Sequence, residues 1–190
     1  MNVIATAKAF NQRARAEHWH QACDPTLAFT EAWYTDLLAI WRQKAGDRKM
    51  PSRSQMTARD LKDYLRHIIL VQRDEGNPPH YRWRLIGTAV TEVIGHHTGK
   101  LFEDSIPAEH LQRWNDACAM ILESEQPWRF IGRVQINGRE YLKAENLYLP
   151  LADDNGVPSF VMGLLRYLPR YQDNEAVSED EIFSLPGALL

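Results

Sequence analysis

Residues 80–105, HYRWRLIGTAVTEVIGHHTGKLFEDS, constrain the fold more than any other stretch. Tyr81, Trp83 and Leu85 alternate with Arg82 and Arg84, the period of a strand with one buried face. Gly87 permits a sharp turn. Thr88 is placed to cap a helix whose apolar side is Val90, Val93 and Ile94, and Gly95 suits the left-handed residue that ends it. A strand that runs straight into a short helix leaves its pairing partners to come from elsewhere in the chain. Upstream, residues 68–72 form an aliphatic run flanked by charge, which suits a strand inside a sheet, and the turn at residues 75–79 joins it to residues 80–86 as a hairpin.

Downstream, Phe102 and Ile106 lie in a linker that reaches Pro107, and Leu111, Trp114, Cys118, Ile121 and Leu122 mark one face of a long helix ending at residues 124–127. Asn137-Gly138 sits between two alternating runs, 128–136 and 139–151, the pattern of a tight hairpin. The turn DDNGVP precedes a last strand at 159–168. The predicted order is two strands, a helical crossover and three strands. This is an α+β fold: a five-stranded antiparallel sheet with helices on one face, preceded by N-terminal helices.

The chain divides into a helical extension (1–46), a core domain (47–169) and an acidic tail (170–190). Residues 2–21 are Ala-rich and charged, a helix with a thin apolar face. Asp24 and Pro25 are placed to open a second helix that ends at Gly46, with Phe29, Trp33, Leu37, Ile40 and Trp41 at helical spacing. That face packs either on the sheet or on the same helix of a second copy, so Phe29, Trp33, Leu37 and Trp41 are the candidate dimer or partner contacts. Arg48, Lys49 and Arg53, with Lys44 just before them, mark a charged loop that reads as solvated, an anionic ligand being the alternative, followed by a Thr57-capped helix with Leu61, Tyr64 and Leu65 inward. From residue 171 the tail carries five acidic residues and no basic ones and is expected to stay apart from the core.

The RLIGT…GHHTGK run, the upstream RKMPSRSQMTARDL and the strand-rich second half together resemble the bacterial PAS_5 family of single PAS domains, over roughly residues 35–168. The resemblance implies a PAS fold, a ligand cavity where the helical cover meets the sheet, no output domain in the same chain, and action in trans on a signalling partner. Haem-binding PAS proteins use an axial His on a cavity helix, whereas His96 and His97 stand in a turn. The Cys motif of the flavin-adduct photosensors is missing. Neither haem nor flavin is therefore expected, and the cofactor is left unassigned.

Composition narrows the function classes. With 44 % hydrophobic residues and six tryptophans the chain can bury a core. Residues 1–66 carry 11 Lys and Arg against 7 Asp and Glu, an excess far below that of a nucleic-acid-binding domain. No run approaches the roughly 18 apolar residues of a membrane span, and the N-terminus lacks a signal-peptide core, so a cytoplasmic protein without membrane contact is expected. Cys23 and Cys118 form no CxxC pair, His18 and His20 point to opposite sides of the predicted helix, and neither GxSxG nor HExxH occurs. No catalytic residue or metal ligand is assigned.

The cavity candidates are Trp83, Leu85, His96, Phe102, Trp114, Phe130, Tyr141 and Asn146, with Trp128, Arg133 and Tyr148 as further wall residues. Aromatic walls with a few polar groups are typical of ligand sites. Strand parity leaves Asn146 undecided: if Tyr141 and Leu147 point inward, Asn146 points outward unless a bulge intervenes. The leading expectation is a homodimeric sensor or regulatory protein that binds a small molecule or a partner protein. The alternatives are a ligand-free interaction or dimerisation module and, less favoured, a small-molecule isomerase or dehydratase, which would need a cavity carboxylate or His of shifted pKa.

Overall fold

The computed structural model describes residues 2–29, 31–134 and 142–169. In chain order the elements are α1 (Val3–Ala16), β1 (Gln21–Asp24), α2 (Ala32–Ala45), β2 (Ile68–Asp74), β3 (His80–Ile86), α3 (Thr88–Ile94), α4 (Ala108–Ser124), β4 (Trp128–Arg133), β5 (Leu142–Ala152) and β6 (Pro158–Pro169). The strands form one antiparallel sheet in the order β1-β4-β5-β6-β2-β3. The predicted hairpin and meander are both present. The Asn137-Gly138 turn and Tyr141 lie outside the described residues, but the strands that flank them pair as expected, with Trp128 opposite Tyr148 and Arg133 opposite Lys143.

The sheet has six strands, not five. The extra strand, β1, occupies residues that the sequence assigns to the end of one helix and the start of the next. α1 stops at Ala16, His18 and His20 take left-handed conformations on either side of the buried Trp19, and the chain then pairs with β4. Gly132 permits this approach, since a Cβ there would lie 2.4 Å from the His20 carbonyl oxygen. The outer edge of β1 is covered by α1. Asn11 Nδ2 donates to the Cys23 carbonyl at 2.9 Å, and Asn11 Oδ1 accepts from the Cys23 amide at 2.8 Å. A side-chain amide thus takes the place of a neighbouring strand and satisfies an edge that would otherwise be open.

Asp24 does not cap α2. Fully buried, it accepts from Thr26 and pairs with Arg129 at 2.9 Å, and Arg129 also holds Glu145 at 2.7 Å. α2 begins only at Ala32, after Glu31, which pairs with Arg166.

Both faces of the sheet are covered, which corrects the one-faced expectation. On one side α1, α3 and α4 pack on Ile69, Val71, Trp83, Phe130 and Tyr148. On the other, α2 and the following loop pack on Ile68, Leu70, Leu147, Leu149 and Leu164. Leu37 and Trp41, expected as dimer or partner contacts, are buried here in cis, and Trp41 Nε1 donates to the Pro150 carbonyl at 2.9 Å. Phe29 and Trp33 are partly buried against the same cluster, with Phe29 stacked on Tyr34 and Trp33 edge-on to His67. All four residues contribute to this chain's own core. Leu61 and Tyr64 face inward as expected, whereas Leu65 is exposed. Gly87, not Thr88, precedes the first turn of α3, and Gly95 ends that helix with φ of 96°.

Candidate functional site

A partly open cavity of about 100 Å³ lies between α4 and the sheet. β3 contributes Trp83, α4 contributes His110, Arg113 and Trp114, the end of α3 contributes Ile94, and the turn after it contributes His97. β5 adds Asn146 and Tyr148, β6 adds Leu165 and Tyr167, and Ser105, Ile106 and Pro107 close one rim. The wall is mainly apolar and aromatic. Trp83 and Trp114 meet edge to face with ring centroids 5.2 Å apart, and Trp83 Nε1 donates to Ser105 Oγ at 3.1 Å.

A bulge decides which residues of β3 reach this cavity. Leu70 pairs with Leu85 and Val71 with Trp83, so Arg84 is the additional residue in β3. Trp83 therefore faces α4 while Leu85 packs against the α2 side, and Leu85 is removed from the cavity set. Phe102 is fully buried behind Trp83 at 4.7 Å between ring centroids, a support for the wall and not part of it. Phe130 packs between Phe10 and Tyr148 beneath α1 and is a core residue. His96 is exposed, and it is His97 that lines the cavity. Tyr141 lies outside the described residues. Trp83, Trp114 and Asn146 line the same cavity.

The polar groups have uneven support. Arg113 Nη1 donates to the Trp19 carbonyl at 3.1 Å, which joins α4 to the segment between α1 and β1. Burial pulls the Arg113 guanidinium down to about 10, against the opposing influence of Tyr148 and Tyr167. Burial also pushes both tyrosine hydroxyls above their ordinary range, so each is a neutral phenol at neutral pH. Asn146 is 5 % exposed, and its Oδ1 is buried without a hydrogen-bond partner. His97 donates from Nε2 to the Ile94 carbonyl at 2.7 Å, and its Nδ1 is likewise buried and unpartnered. Buried polar atoms are ordinarily satisfied, so two orphans on residues that line one cavity are unusual.

Arg113 and Tyr167 were missed by sequence reasoning. A signal for Arg113 was available: it stands four and eight residues before the buried Ala117 and Ile121, within the inward stripe of α4. Among the described residues, no group of three or more His, Cys, Asp or Glu side chains could hold a metal ion, and no helix is long and apolar enough to cross a membrane.

The family model of PAS_5, a PAS domain, matches residues 30–166. The match begins just before α2 and ends within β6, so it takes in every strand but β1 and every wall of the cavity except Gln21 and Tyr167. No curated protein matches the chain.

Proposed function

Because the chain belongs to the PAS_5 family of PAS domains, we propose that it is a sensory or regulatory module that binds a small molecule between α4 and the sheet and conveys its state through contacts with a signalling partner or a second copy of itself. The observation that carries this reading is the Asn146 amide oxygen, buried in a strand core yet unpartnered, on a residue that lines the cavity. A group retained only for packing would be better replaced by an apolar one, because an unmet buried acceptor costs about 1–3 kcal/mol. A bound molecule that donates to it removes that cost.

The output element in this reading is α1. α4 supplies the cavity with Arg113 and Trp114, and the same helix holds α1 through Asp116, which pairs with Arg13 at 2.5 Å. A ligand can shift such an arrangement only by binding two states with different affinity, and α1 is the element whose docking can differ between them.

Native mass spectrometry of the full chain, compared with denaturing spectra, tests the reading. The expected result is a defined small mass that the wild type loses on denaturation and that Asn146→Leu does not carry. An adduct-free wild type that also fails to take up small-molecule probes would reverse it, in favour of a ligand-free interaction module.

A further inference from the structure

The two orphan atoms restrict the chemistry of the molecule that fits, an inference that rests on the cavity being a ligand site. The Ile94 carbonyl can only accept, so at 2.7 Å the ring proton of His97 is on Nε2, and in the neutral ring Nδ1 is an acceptor. Asn146 Oδ1 is an acceptor as well. Both are buried, both lack a partner, and their residues line the same space. The two buried, unmet atoms are thus both acceptors, and what they call for is hydrogen-bond donors.

Arg113 limits which donors are suitable. A guanidinium in the same wall repels an ammonium group, so the donors must be uncharged N–H or O–H groups. The guanidinium and the Tyr148 and Tyr167 hydroxyls are themselves donors, so an oxygen acceptor on the ligand is also accommodated. The indoles of Trp83 and Trp114 supply flat apolar walls suited to a ring. We propose that the cavity recognises a small, planar, uncharged molecule that carries N–H or O–H donors beside a carbonyl-type oxygen, the cyclic-amide pattern, with Asn146 and His97 accepting from it and Arg113 donating to it.

Single-ring probes of nearly equal size separate the possibilities: 2-pyridone, its N-methyl derivative, benzylammonium and toluene, each titrated at millimolar concentrations into the full chain. The readout is the shift of the Trp83 and Trp114 indole N–H resonances, assigned with Phe substitutions. 2-Pyridone is expected to bind about tenfold more tightly than N-methyl-2-pyridone, which keeps the ring and the carbonyl but has lost the donor. Asn146→Leu should remove most of that difference while leaving the N-methyl probe unaffected. If N-methyl-2-pyridone or toluene binds as well as 2-pyridone, the donor requirement is wrong, and if benzylammonium does, the requirement for an uncharged donor is wrong; in each case the cavity stands as a ligand site. If no probe moves either indole, the ligand-site reading fails, and the donor requirement fails with it.

Discussion

Asn146→Leu should make the ligand-free protein more stable, which is the opposite of what a polar-to-apolar change at a structural Asn would do. Asn146 is 5 % exposed with its Oδ1 unpartnered, so the native state carries the cost of a desolvated acceptor, about 1–3 kcal/mol. A water in the cavity that donates to Oδ1 would recover part of it, which leaves a net gain of about 1–2 kcal/mol for Leu. Leu branches at the same carbon as Asn, and neighbouring Leu165 and the Trp83 indole present apolar surface to it. For a chain of this size, 1 kcal/mol moves the melting temperature by about 2–4 °C, so a rise of roughly 2–8 °C is expected. Differential scanning calorimetry of the adduct-free proteins measures it. The inverse change one residue away, Leu147→Asn, places an amide in the fully buried core under α2 and should cost about 3–5 kcal/mol. A melting temperature that falls in Asn146→Leu would refute the reasoning, because it would mean that the amide is satisfied in the free protein and has no need of a ligand.

Three further outcomes are expected. Asn11→Leu leaves the Cys23 amide and carbonyl buried and unpartnered, a loss of about 2–5 kcal/mol, to be read as a lowered urea midpoint and faster exchange of the Cys23 amide proton, with the exposed Gln12→Leu as control. Arg129→Met strands the buried Asp24 carboxylate and should cost about 3–5 kcal/mol, whereas the triple change with Asp24→Asn and Glu145→Gln should recover much of the loss, a comparison of single and triple variants in chemical denaturation. Stability should fall as the pH rises above about 9. Burial raises Cys23, Cys118, Tyr34 and Tyr81, so the folded chain keeps protons that the unfolded chain releases near pH 9–10, and the unfolded state binds fewer protons there. Thermal melts between pH 8 and 11 check the sign, and a melting temperature that stays level across that range would contradict it.

The local grammar of the fold was legible where the signal is periodic. The alternation in residues 128–133 and 80–86, the inward stripe of α4 and the Gly95 stop all correspond to elements close to their expected ends. β1 was not legible, since four residues without alternation become a strand only because Gly132 of β4 lets them approach and Asn11 covers their far side. The face of α2 was legible, but not what it meets. Phe29, Trp33, Leu37 and Trp41 mark an apolar stripe equally suited to a sheet or a second copy, and only the second exposed face of the sheet decides for packing in cis. Leu85 illustrates the limit of counting by twos, because the bulge at Arg84 moves it to the opposite face from Trp83. For Asn146 parity was sound but the question was wrong: in a sheet covered on both faces Leu147 and Asn146 are both inward, one toward α2 and one toward the cavity.

The placement of Arg113 also sets a limit on how strongly the cavity can act on α1. Besides apolar packing, the polar contacts that join α4 to that part of the chain include the exposed Arg13–Asp116 pair and the hydrogen bond from Arg113 to the Trp19 carbonyl. Arg13 is about half exposed, so its pair is worth at most about 1 kcal/mol, and a ligand has no direct contact with it. The Arg113 bond is charge-assisted and begins in the cavity wall, worth about 1.5–3 kcal/mol. It holds Trp19 between two residues in left-handed conformations, a segment whose backbone is already costly for side chains of this kind. A ligand oxygen that competes for the guanidinium would weaken that hold, but it would leave Phe10 packed on Phe130 and Asn11 bonded to Cys23. In the proposed reading the change open to α1 is thus a shift of its end near Trp19 about a fixed middle and not release of the helix, with a coupling through the Arg113 bond of about 10- to 150-fold in affinity at most.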